Sequence, residues 1–387
     1  MLNVTSKNDG NEIIVFVEGR VDSSNAGELG EKIKATGATD NLTIDLEKTE
    51  YISSAGLRIF LNLKKTIKKF KIINASTDVY DLFEMTGFTE IMEVKRAYRR
   101  ISIDGAEVIG QGANGKVYRT SPDTVVKVYI NPDSLSDIEH ERAMARKALV
   151  LGLPTAISYD VVKVNDSYAS MFEMINAKSL AKSLIANSSS ENITACAKVA
   201  AELLRLIHST EATDNELPNQ REITIGWIKF LENHLPCDTY NKLFKLINEI
   251  PEDKHIIHGD YHIKNIMLQD DEPILIDMDT LAIGAPILEL GSVFNAYKGY
   301  SLSDHNVVLN FLGISYETAT EFLEKLISFY LGTTDAEKIQ SVIEKAAVIG
   351  FVRAMRRTIR RNGNPAEIEA YKNELIRLSE KLDTLAF

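Results

Sequence analysis

The segment HGDYHIKN at residues 258–265, followed by ILIDMD at residues 274–279, combines residue types that can carry out phosphoryl transfer. Its spacing is HxDxxxxN, and the apolar strand that comes after it ends in an aspartate. Phosphoryl transfer needs a carboxylate that orients and deprotonates the attacking hydroxyl, and oxygen ligands for the magnesium that bridges the phosphates. We therefore predict Asp260 as the catalytic base, and Asn265 and Asp277 as the magnesium ligands.

Three neighbouring side chains are expected to support this chemistry. We expect His258 and His262 to brace the catalytic loop through hydrogen bonds rather than to ionise during the reaction. Asp279 has two open interpretations. It either supports a second metal or contacts the substrate, or it is a solvated carboxylate in a turn.

A glycine-rich segment, GQGANGKV at residues 110–117, matches the pattern GxGxxGxV. Glycines are needed where backbone amides closely approach phosphate oxygens. The same pattern also occurs in dinucleotide sites and in ordinary turns. Here a strand follows at residues 125–129 rather than a helix, which favours a hairpin over the phosphates. We predict that Gly110, Gly112 and Gly115 bind the nucleotide.

Lys127 alternates with apolar residues in that strand. Such a lysine can pair with the α- and β-phosphates when a carboxylate on the following helix holds it. We choose Glu141 for this carboxylate, with Glu139 as the second candidate. The alternative is an exposed lysine on an edge strand. Met174, in the segment FEMI at residues 172–175, is predicted from its position alone to hold adenine at a hinge between two lobes.

The elements around these residues suggest two lobes. Residues 106–174 are rich in predicted strands and contain one charged helix at residues 138–151. After residue 178 the pattern is mostly helical, interrupted by short apolar runs at residues 256–276. We therefore expect a small β-rich lobe that is followed by a larger helical lobe.

Residues 3–95 alternate between strands and helices, which implies one sheet covered by helices. The polar segment at residues 95–105 is the predicted linker. The predicted strands cover residues 13–17, 42–46 and 71–74, and the predicted helices cover residues 26–33, 54–69 and 79–85.

The composition is that of a globular protein with more than one folding unit. The chain has 387 residues, of which 44% are hydrophobic and 26% charged. Residues 1–100 contain 15 basic and 15 acidic side chains, so the net charge of −11 arises from the rest of the chain. An acidic balance disfavours a nucleic-acid partner. No signal sequence or membrane span is predicted, and we expect a cytoplasmic protein.

Two smaller features are expected to be structural. Cys196 and Cys237 have no CxxC or histidine-rich surroundings, so we interpret both as inert core thiols. The basic run at residues 353–361 lies in a helical pattern. We expect it to be a solvated face rather than a site for phosphate or a partner.

Residues 106 to about 300 resemble the aminoglycoside phosphotransferase and choline kinase family, whose signature is HGDxHxxN followed by a strand that ends in IDxD or IDxE. The resemblance implies a protein kinase-like fold, ATP and Mg²⁺ as cofactors, and a small alcohol as acceptor. It carries over roles for Lys127, Glu141, Asp260, Asn265 and Asp277. Glu-Leu-Gly at residues 289–291 stands where the family usually has Asp-Leu-Ala.

Two features separate this segment from a protein kinase. Gly259 occupies the place of the arginine that would bind an activation-loop phosphate. The chain between Asp277 and Pro286 is too short for an activation segment that would bind an extended peptide. A small-molecule acceptor is therefore favoured.

Residues 3–95 resemble the STAS domain of anti-sigma factor antagonists. The resemblance rests on EGRVD at residues 18–22 and YISSAGLR at residues 51–58. By this resemblance Ser54 matches the regulatory phosphoserine, and the free amides of a helix N-terminus would stabilise a phosphate there. Family members often have Asp immediately before the serine, where this chain has Ser53. The alternative is that Ser53 or Ser54 simply caps the helix. The expected task of the module is binding a protein partner.

The sequence thus predicts an α/β domain followed by an α+β domain. We expect a small STAS-like sheet-and-helix domain at residues 1–98, a kinase-like β-rich N-lobe at 99–175, and a helical C-lobe at 176–387. The predicted function is ATP- and Mg-dependent phosphorylation of a small-molecule hydroxyl on an aminoglycoside, sugar or amino alcohol. One alternative is a signalling protein whose kinase-like part phosphorylates Ser54 or a protein partner. Another is a nucleotide-binding scaffold without catalysis.

Overall fold

The computed structural model describes residues 2–10, 12–111, 115–131, 134–213 and 216–387. The chain divides into two compact units. Unit 1 comprises Met1–Ser102 with Val161–Asp166, and unit 2 comprises Ile103–Asp160 with Ser167–Phe387.

Unit 1 contains a five-stranded sheet in the order β1-β2-β3-β4-β5. The first pair is antiparallel, and the other three pairs are parallel because helices cross over between the strands. Aliphatic side chains of the strands pack with those of the helices into one apolar core. The strands are β1 (Asn3–Asp9), β2 (Glu12–Val21), β3 (Asn41–Ile52), β4 (Lys69–Ala75) and β5 (Glu93–Arg96). The helices are α1 (Ala26–Ala35), α2 (Ser54–Thr66), α3 (Thr77–Met85) and α4 (Phe88–Ile91).

Every strand and helix predicted for residues 3–95 is present, with ends that differ by a few residues. Two strands, β1 and β5, were not predicted. β1 is an edge strand whose side chains are almost all exposed, so it has no alternation of apolar and polar residues. The segment predicted as a linker contains the end of β5 and a two-residue strand, β6 (Arg99–Arg100). β6 pairs in parallel with Val162 and Lys163.

Unit 2 begins with the β-rich lobe, where strands follow the order β10-β11-β9-β8-β7. One helix, α5, crosses between the third and fourth of these strands in the chain, as expected for the charged helix. The elements are β7 (Glu107–Gln111), β8 (Gly115–Ser121), β9 (Thr124–Tyr129), α5 (Leu135–Val150), β10 (Ser158–Val164) and β11 (Ser167–Glu173).

The second lobe of unit 2 is mainly helical and carries two small sheets, β12-β14-β15 and β13-β16. Its first elements are β12 (Lys178–Ser179), α6 (Leu180–Ala186), α7 (Ser190–Ser209), α8 (Gln220–Phe230), α9 (Cys237–Asn248), β13 (Ile256–Ile257), β14 (Ile266–Gln269), β15 (Glu272–Leu275) and β16 (Ala282–Ile283). The remaining helices are α10 (Pro286–Tyr297), α11 (Asn306–Leu312), α12 (Tyr316–Leu331), α13 (Ala336–Arg360) and α14 (Pro365–Lys381). Short 3₁₀ helices cover Glu232–His234, Met278–Thr280 and Gly299–Ser301.

Helix α10 forms the centre of this lobe, since every residue from Ile287 to Tyr297 is buried. A helix that is buried on all sides loses the amphipathic pattern of a surface helix. It packs against α13 so closely that a Cβ added to Gly291 would lie 2.6 Å from Ile349. This packing brings α13 next to the loop that precedes β14.

The predicted fold class is confirmed: a small sheet-and-helix unit is followed by a β-rich lobe and a helical lobe. The prediction for the cysteines was half wrong. Cys196 is buried, but Cys237 is exposed at the first turn of α9. None of the helices in the described part of the chain is long and apolar enough to cross a bilayer.

Candidate active site

The catalytic loop, residues 258–265, connects β13 to β14 and is held by a fully buried histidine. His258 is 0% exposed, and its Nδ1 accepts a hydrogen bond from the Asp260 amide at 3.2 Å. Its Nε2 lies 3.2 Å from the carbonyl oxygen of Ile276. Together these bonds require the neutral ring protonated on Nε2, because one nitrogen accepts and the other donates. His258 therefore ties the loop to the strand end that carries Asp277.

Gly259 lets the loop turn tightly beneath Asp260. Its φ is +83°, and a Cβ at this position would lie 2.6 Å from the Thr280 carbonyl oxygen. The Thr280 hydroxyl donates to the His258 carbonyl at 2.7 Å. A side chain at Gly259 would thus break the approach between the two segments.

Glu289, on α10, holds the loop through hydrogen bonds to its backbone. It is 0% exposed and accepts hydrogen bonds from the amides of His258 and Gly259, the latter at 3.0 and 3.1 Å. Burial raises the pKa of Glu289, whereas the hydrogen bonds from these two amides oppose the rise. The carbonyl of Gly259 accepts from Ser292 Oγ and Arg353 Nη1, both at 2.9 Å. Both the N–H and the carbonyl of Gly259 are therefore bound by side chains of α10 and α13.

Asp260 remains accessible at the surface of this braced loop. Its side chain is 44% exposed, and Oδ2 lies 3.5 Å from Nε2 of His262. Burial alone would raise the pKa of Asp260, but His262 and Arg353 outweigh it and hold the pKa at about 2. Asp260 is thus an ionised carboxylate at neutral pH, able to accept a hydrogen bond from a hydroxyl group.

Asn265 and Asp277 come together through a hairpin. Ile266 pairs with Leu275 across β14 and β15, and the Asn265 carbonyl accepts from the Ile276 amide at 2.9 Å. The Asn265 side-chain nitrogen donates to the Asp260 carbonyl at 3.1 Å, which leaves its Oδ1 to act as a ligand. Asp277 has φ +67°, an unusual value for a non-glycine residue and one often found at functional sites.

This donor set suits a hard cation such as magnesium, which prefers carboxylate and amide oxygens. Burial raises the pKa of Asp279, and the negative charge of Asp277 raises it further. A bound cation would relieve that repulsion. Among the described residues no group of three or more His, Cys, Asp or Glu side chains could hold a metal ion. A site here would therefore depend on the Asn265 amide together with one or two carboxylates.

Lys127, on β9, bridges Glu141 on α5 and Asp277 at the strand end. Its Nζ lies 2.7 Å from Glu141 Oε1 and 3.3 Å from Asp277 Oδ1. Burial lowers the pKa of Lys127, but Asp277 and Glu141 together raise it more, so the ammonium stays charged. Burial raises the pKa of Glu141 to about 7 against the opposing effect of Lys127. Of the two candidates, the structure pairs Lys127 with Glu141.

The structure describes only some of the residues whose backbone is predicted to bind the nucleotide. Gly110 lies in β7, and Gly115 begins β8, where any Cβ would collide with the Val128 carbonyl. Gly112 lies outside the described residues. Met174 follows β11 directly, but its amide already donates to the Asp123 carbonyl at 2.9 Å. A contact of Met174 with adenine would therefore have to use its carbonyl oxygen.

Ser54, the predicted phosphosite in unit 1, is exposed and is the first residue of α2. The preceding residue, Ser53, is the N-cap, and its hydroxyl accepts from the Gly56 amide at 3.4 Å. Of the two serines, Ser53 is thus the one that caps the helix. The Ser54 hydroxyl stands at the amide end of that helix.

Two residues near the site were missed from the sequence. The Tyr129 hydroxyl donates to Glu141 Oε2, and Tyr129 lies two positions after Lys127, on the same face of the strand. This alternation could have identified it. Arg353 belongs to the basic run that was expected to be a solvated face, yet it is half-buried and bonded to Gly259. No sequence pattern shows that contact, because α13 is distant in the chain.

Two family models match this chain. One, described as the phosphotransferase enzyme family, matches residues 105–312, and one for the STAS domain matches residues 3–101. The STAS region is similar to the anti-sigma-B factor antagonist of Bacillus subtilis (strain 168), with 32% identity over 98 residues, which is 24% of this chain and 90% of that protein. The antagonist of Listeria monocytogenes is 29% identical over 93 residues, covering 22% of this chain and 82% of that protein.

Solved structures are similar over a large part of the chain, at low identity. Aminoglycoside phosphotransferase APH(2'')-Ib in its ADP-bound form is 16% identical, with 71% of this chain and 93% of that chain covered and a TM-score of 0.48. A choline/ethanolamine kinase family protein from Mesorhizobium loti is also 16% identical, covering 71% of this chain and 88% of that chain, with a TM-score of 0.44.

Proposed function

The chain belongs to the phosphotransferase enzyme family through residues 105–312 and carries a STAS domain at residues 3–101, and from this we propose that it transfers the γ-phosphoryl group of ATP to a hydroxyl of a small molecule. The observation that supports the proposal most is the contrast between two carboxylates. Asp260 is ionised and accessible on a loop that buried groups brace, while Asp277 is joined to the Lys127–Glu141 pair.

Each residue has a role in this reaction. Asp260 accepts a hydrogen bond from the acceptor hydroxyl, whose oxygen forms the new bond to phosphorus as the bond from phosphorus to the ADP oxygen breaks. The hydroxyl proton passes to Asp260. A pKa of about 2 makes Asp260 a weak base, which suits a loose transition state in which the proton leaves late. Lys127 would pair with the nucleotide phosphates, kept in place by Glu141.

Magnesium fits this site through Asn265 and Asp277. When bound, it would neutralise the charge of the phosphates. The glycine segment that includes Gly110, Gly112 and Gly115 would cover those phosphates, and the Met174 carbonyl would contact adenine. We also propose that the reaction takes place in the cytoplasm, where ATP is available.

The test is phosphate transfer from ATP in the presence of magnesium, followed by mass spectrometry of the acceptors. The panel includes amino sugars, sugars, choline-like alcohols and buffer alone. Asp260→Asn should lower turnover at least about 100-fold and leave nucleotide binding unchanged. The matched control is Asp271→Asn, an exposed carboxylate in the turn between β14 and β15. Equal turnover in wild type and Asp260→Asn would remove Asp260 as the base.

Unit 1 has a second candidate role, which the exposure of Ser54 favours. We propose that the STAS domain binds a protein partner, and that phosphate on Ser54 would alter that surface because it would meet the amide end of α2. If the kinase-like unit modifies this domain, mass spectrometry should find phosphate on Ser54 after incubation with ATP. Ser53→Ala should keep that phosphate and Ser54→Ala should lose it. Equal incorporation in wild type and Ser54→Ala would exclude this alternative.

A further inference from the structure

Helix α13 carries four arginines at the spacing of a single helix face: Arg353, Arg356, Arg357 and Arg360. We call them the arginine row. It begins beside the catalytic loop, because Arg353 Nη1 donates to the Gly259 carbonyl at 2.9 Å and lies 3.0 Å from Ser292 Oγ. Gly259 immediately precedes Asp260. The row therefore extends away from the position where the acceptor hydroxyl would react.

Aromatic rings lie next to the arginine row. The guanidinium carbons of Arg353 and Arg356 lie 5.6 and 6.0 Å from the ring centre of Trp227, on α8. The guanidinium of Arg357 lies 5.2 Å from the ring centre of Tyr300. These distances lie within the range of cation–π contacts, in which the ring attracts the positive charge and accepts no conventional hydrogen bond from the N–H groups. This arrangement presents several donors to one ligand.

The arginine row differs from other cations of the helical lobe in its ion pairs. Within the residues that the structure describes, none of its four members forms an ion pair, although other cations of the same lobe do so. Arg377, on the neighbouring α14, lies 2.8 Å from Glu374, and Lys381 lies 2.7 Å from Glu344. Burial, followed by the charge of Arg360, lowers the pKa of Arg356. Cations that form no ion pair with any described carboxylate, next to the proposed reaction site and in a chain of net charge −11, indicate that a ligand supplies the opposite charge.

We infer that the acceptor is an alcohol that also carries a carboxylate or a phosphate, and that Arg353, Arg356 and Arg357 bind this anionic group. This inference rests on the proposed phosphotransferase function and names its substrate class. Arginine binds both anions through paired hydrogen bonds, so the shared feature is a planar or tetrahedral oxyanion. The anionic group takes no part in bond making. It holds the molecule while its hydroxyl oxygen takes the phosphoryl group from ATP and its proton passes to Asp260.

The chain contains a reporter for this binding, since Trp227 is its single tryptophan and contacts two members of the arginine row. Tryptophan fluorescence would be followed while full-length protein is titrated with glycerol, glycerate, glycerol 3-phosphate and choline. A second series would use glucose, glucosamine, gluconate and glucose 6-phosphate. We expect a saturable change with the anionic members alone, and the stronger member of each series distinguishes carboxylate from phosphate.

Arg356→Gln should raise the Kd for the anionic alcohol at least tenfold, and Arg357→Gln should raise it less, because Arg357 is exposed. Lys338→Gln is the matched control. It removes one positive charge from an exposed position in the first turn of the same helix and should leave the Kd unchanged. Phosphate transfer should follow the same order, with KM for the anionic alcohol raised in Arg356→Gln and KM for ATP unchanged.

The outcomes separate this inference from the proposed function. Phosphate transfer to a neutral or cationic alcohol, unaffected by Arg356→Gln, would overturn the anionic acceptor and leave the phosphotransferase standing. Saturable binding that depends on Arg356, without phosphate transfer to any bound alcohol, would contradict the phosphotransferase and leave the anion site standing. No fluorescence response to any of the four anionic alcohols would also overturn the inference.

Discussion

Unit 1 and unit 2 both bury ionisable side chains, but they use them differently. In unit 1 the buried Asp45 accepts from the Asn74 side chain and from the Glu47 amide, both at 2.9 Å. Those partners lie on β3 itself and on the adjacent strand. In unit 2 the fully buried His258 and Glu289 both hold one short loop, and they reach it from different parts of the chain.

Burying a polar group costs stability unless each hydrogen bond is made. Unit 1 uses such a group to join neighbouring strands, and its candidate functional residue, Ser54, remains on the surface. Unit 2 instead holds the loop beneath Asp260 through hydrogen bonds to the buried side chains of His258 and Glu289, which fixes the Asp260 carboxylate in one position. The proposed function of unit 2 therefore depends on the fixed position of the Asp260 carboxylate, whereas that of unit 1 depends on the exposure of Ser54. Four pairs of substitutions test this difference, and the pair with the largest expected effect comes first.

Lys127→Ala should lower kcat/KM for ATP about 100- to 1,000-fold, because it removes a cation aimed at the phosphates. Glu141, left without its partner, should take up a proton, since burial already raises its pKa to about 7. The fold should therefore survive, as thermal unfolding would show. Lys338→Ala, at an exposed position in the first turn of α13, is the control and should leave kcat/KM unchanged. Similar losses of kcat/KM in both variants would mean that the effect comes from removing any positive charge from unit 2, and not from the position of Lys127.

Two buried carboxylates provide a direct comparison of the units. Glu289→Gln should reduce kcat at least about tenfold with KM for ATP unchanged, because an NH2 group in place of Oε1 would face the Gly259 amide, and two donors cannot form a hydrogen bond with each other. Asp45→Asn should reduce the stability of unit 1 by about 1–3 kcal/mol and leave kcat unchanged. Steady-state kinetics and hydrogen exchange of the β3 amides would measure the two effects. A loss of kcat in Asp45→Asn would contradict the separation of roles.

The sequence was most informative where chemistry requires fixed spacing. The order of Lys127, Asp260, Asn265 and Asp277 predicted a phosphoryl-transfer site, because that reaction requires these types together. The two lobes were predicted separately, from the strand-rich pattern at residues 106–174 and the helical pattern after residue 178. The structure brings Lys127 to Glu141 and Asp277, and Asn265 to Asp260.

Contacts between distant segments could not be predicted from the sequence. The Gly259 carbonyl meets Arg353 only because α13 packs on α10, and packing leaves no local pattern. The hydrogen bond from the Met174 amide to the Asp123 carbonyl also joins segments that are distant in the chain, so no local pattern predicts it. The polar edge strand β1 was missed because a strand with nearly every side chain exposed lacks the alternation that identifies strands.

Two glycine-to-alanine substitutions, one in each unit, compare how tightly the helices of the two units are packed. Gly291→Ala should lower the free energy of unfolding of unit 2 by about 1–3 kcal/mol, because its Cβ would lie 2.6 Å from Ile349 on α13. Gly27→Ala, on the exposed side of α1 with no atom within 4 Å of its Cβ, should stabilise unit 1 by about 0.5 kcal/mol. Urea unfolding would give both values. Stabilisation by Gly291→Ala would show that α10 and α13 have room to separate.

The smallest expected effect concerns the two serines that begin α2. Ser53→Ala removes the N-cap hydroxyl and should destabilise unit 1 by about 0.5–1 kcal/mol, toward the lower value because the bond to the Gly56 amide is 3.4 Å long. Ser54→Ala should change stability by less than about 0.5 kcal/mol, since an exposed first helical residue has no capping role. Urea unfolding of full-length variants would compare them. A larger loss in Ser54→Ala would assign the cap to Ser54, and a hydroxyl that holds the helix end would then be a poor candidate for modification. The expected order instead leaves Ser54 free to act at the surface, in contrast to the enclosed loop beneath Asp260.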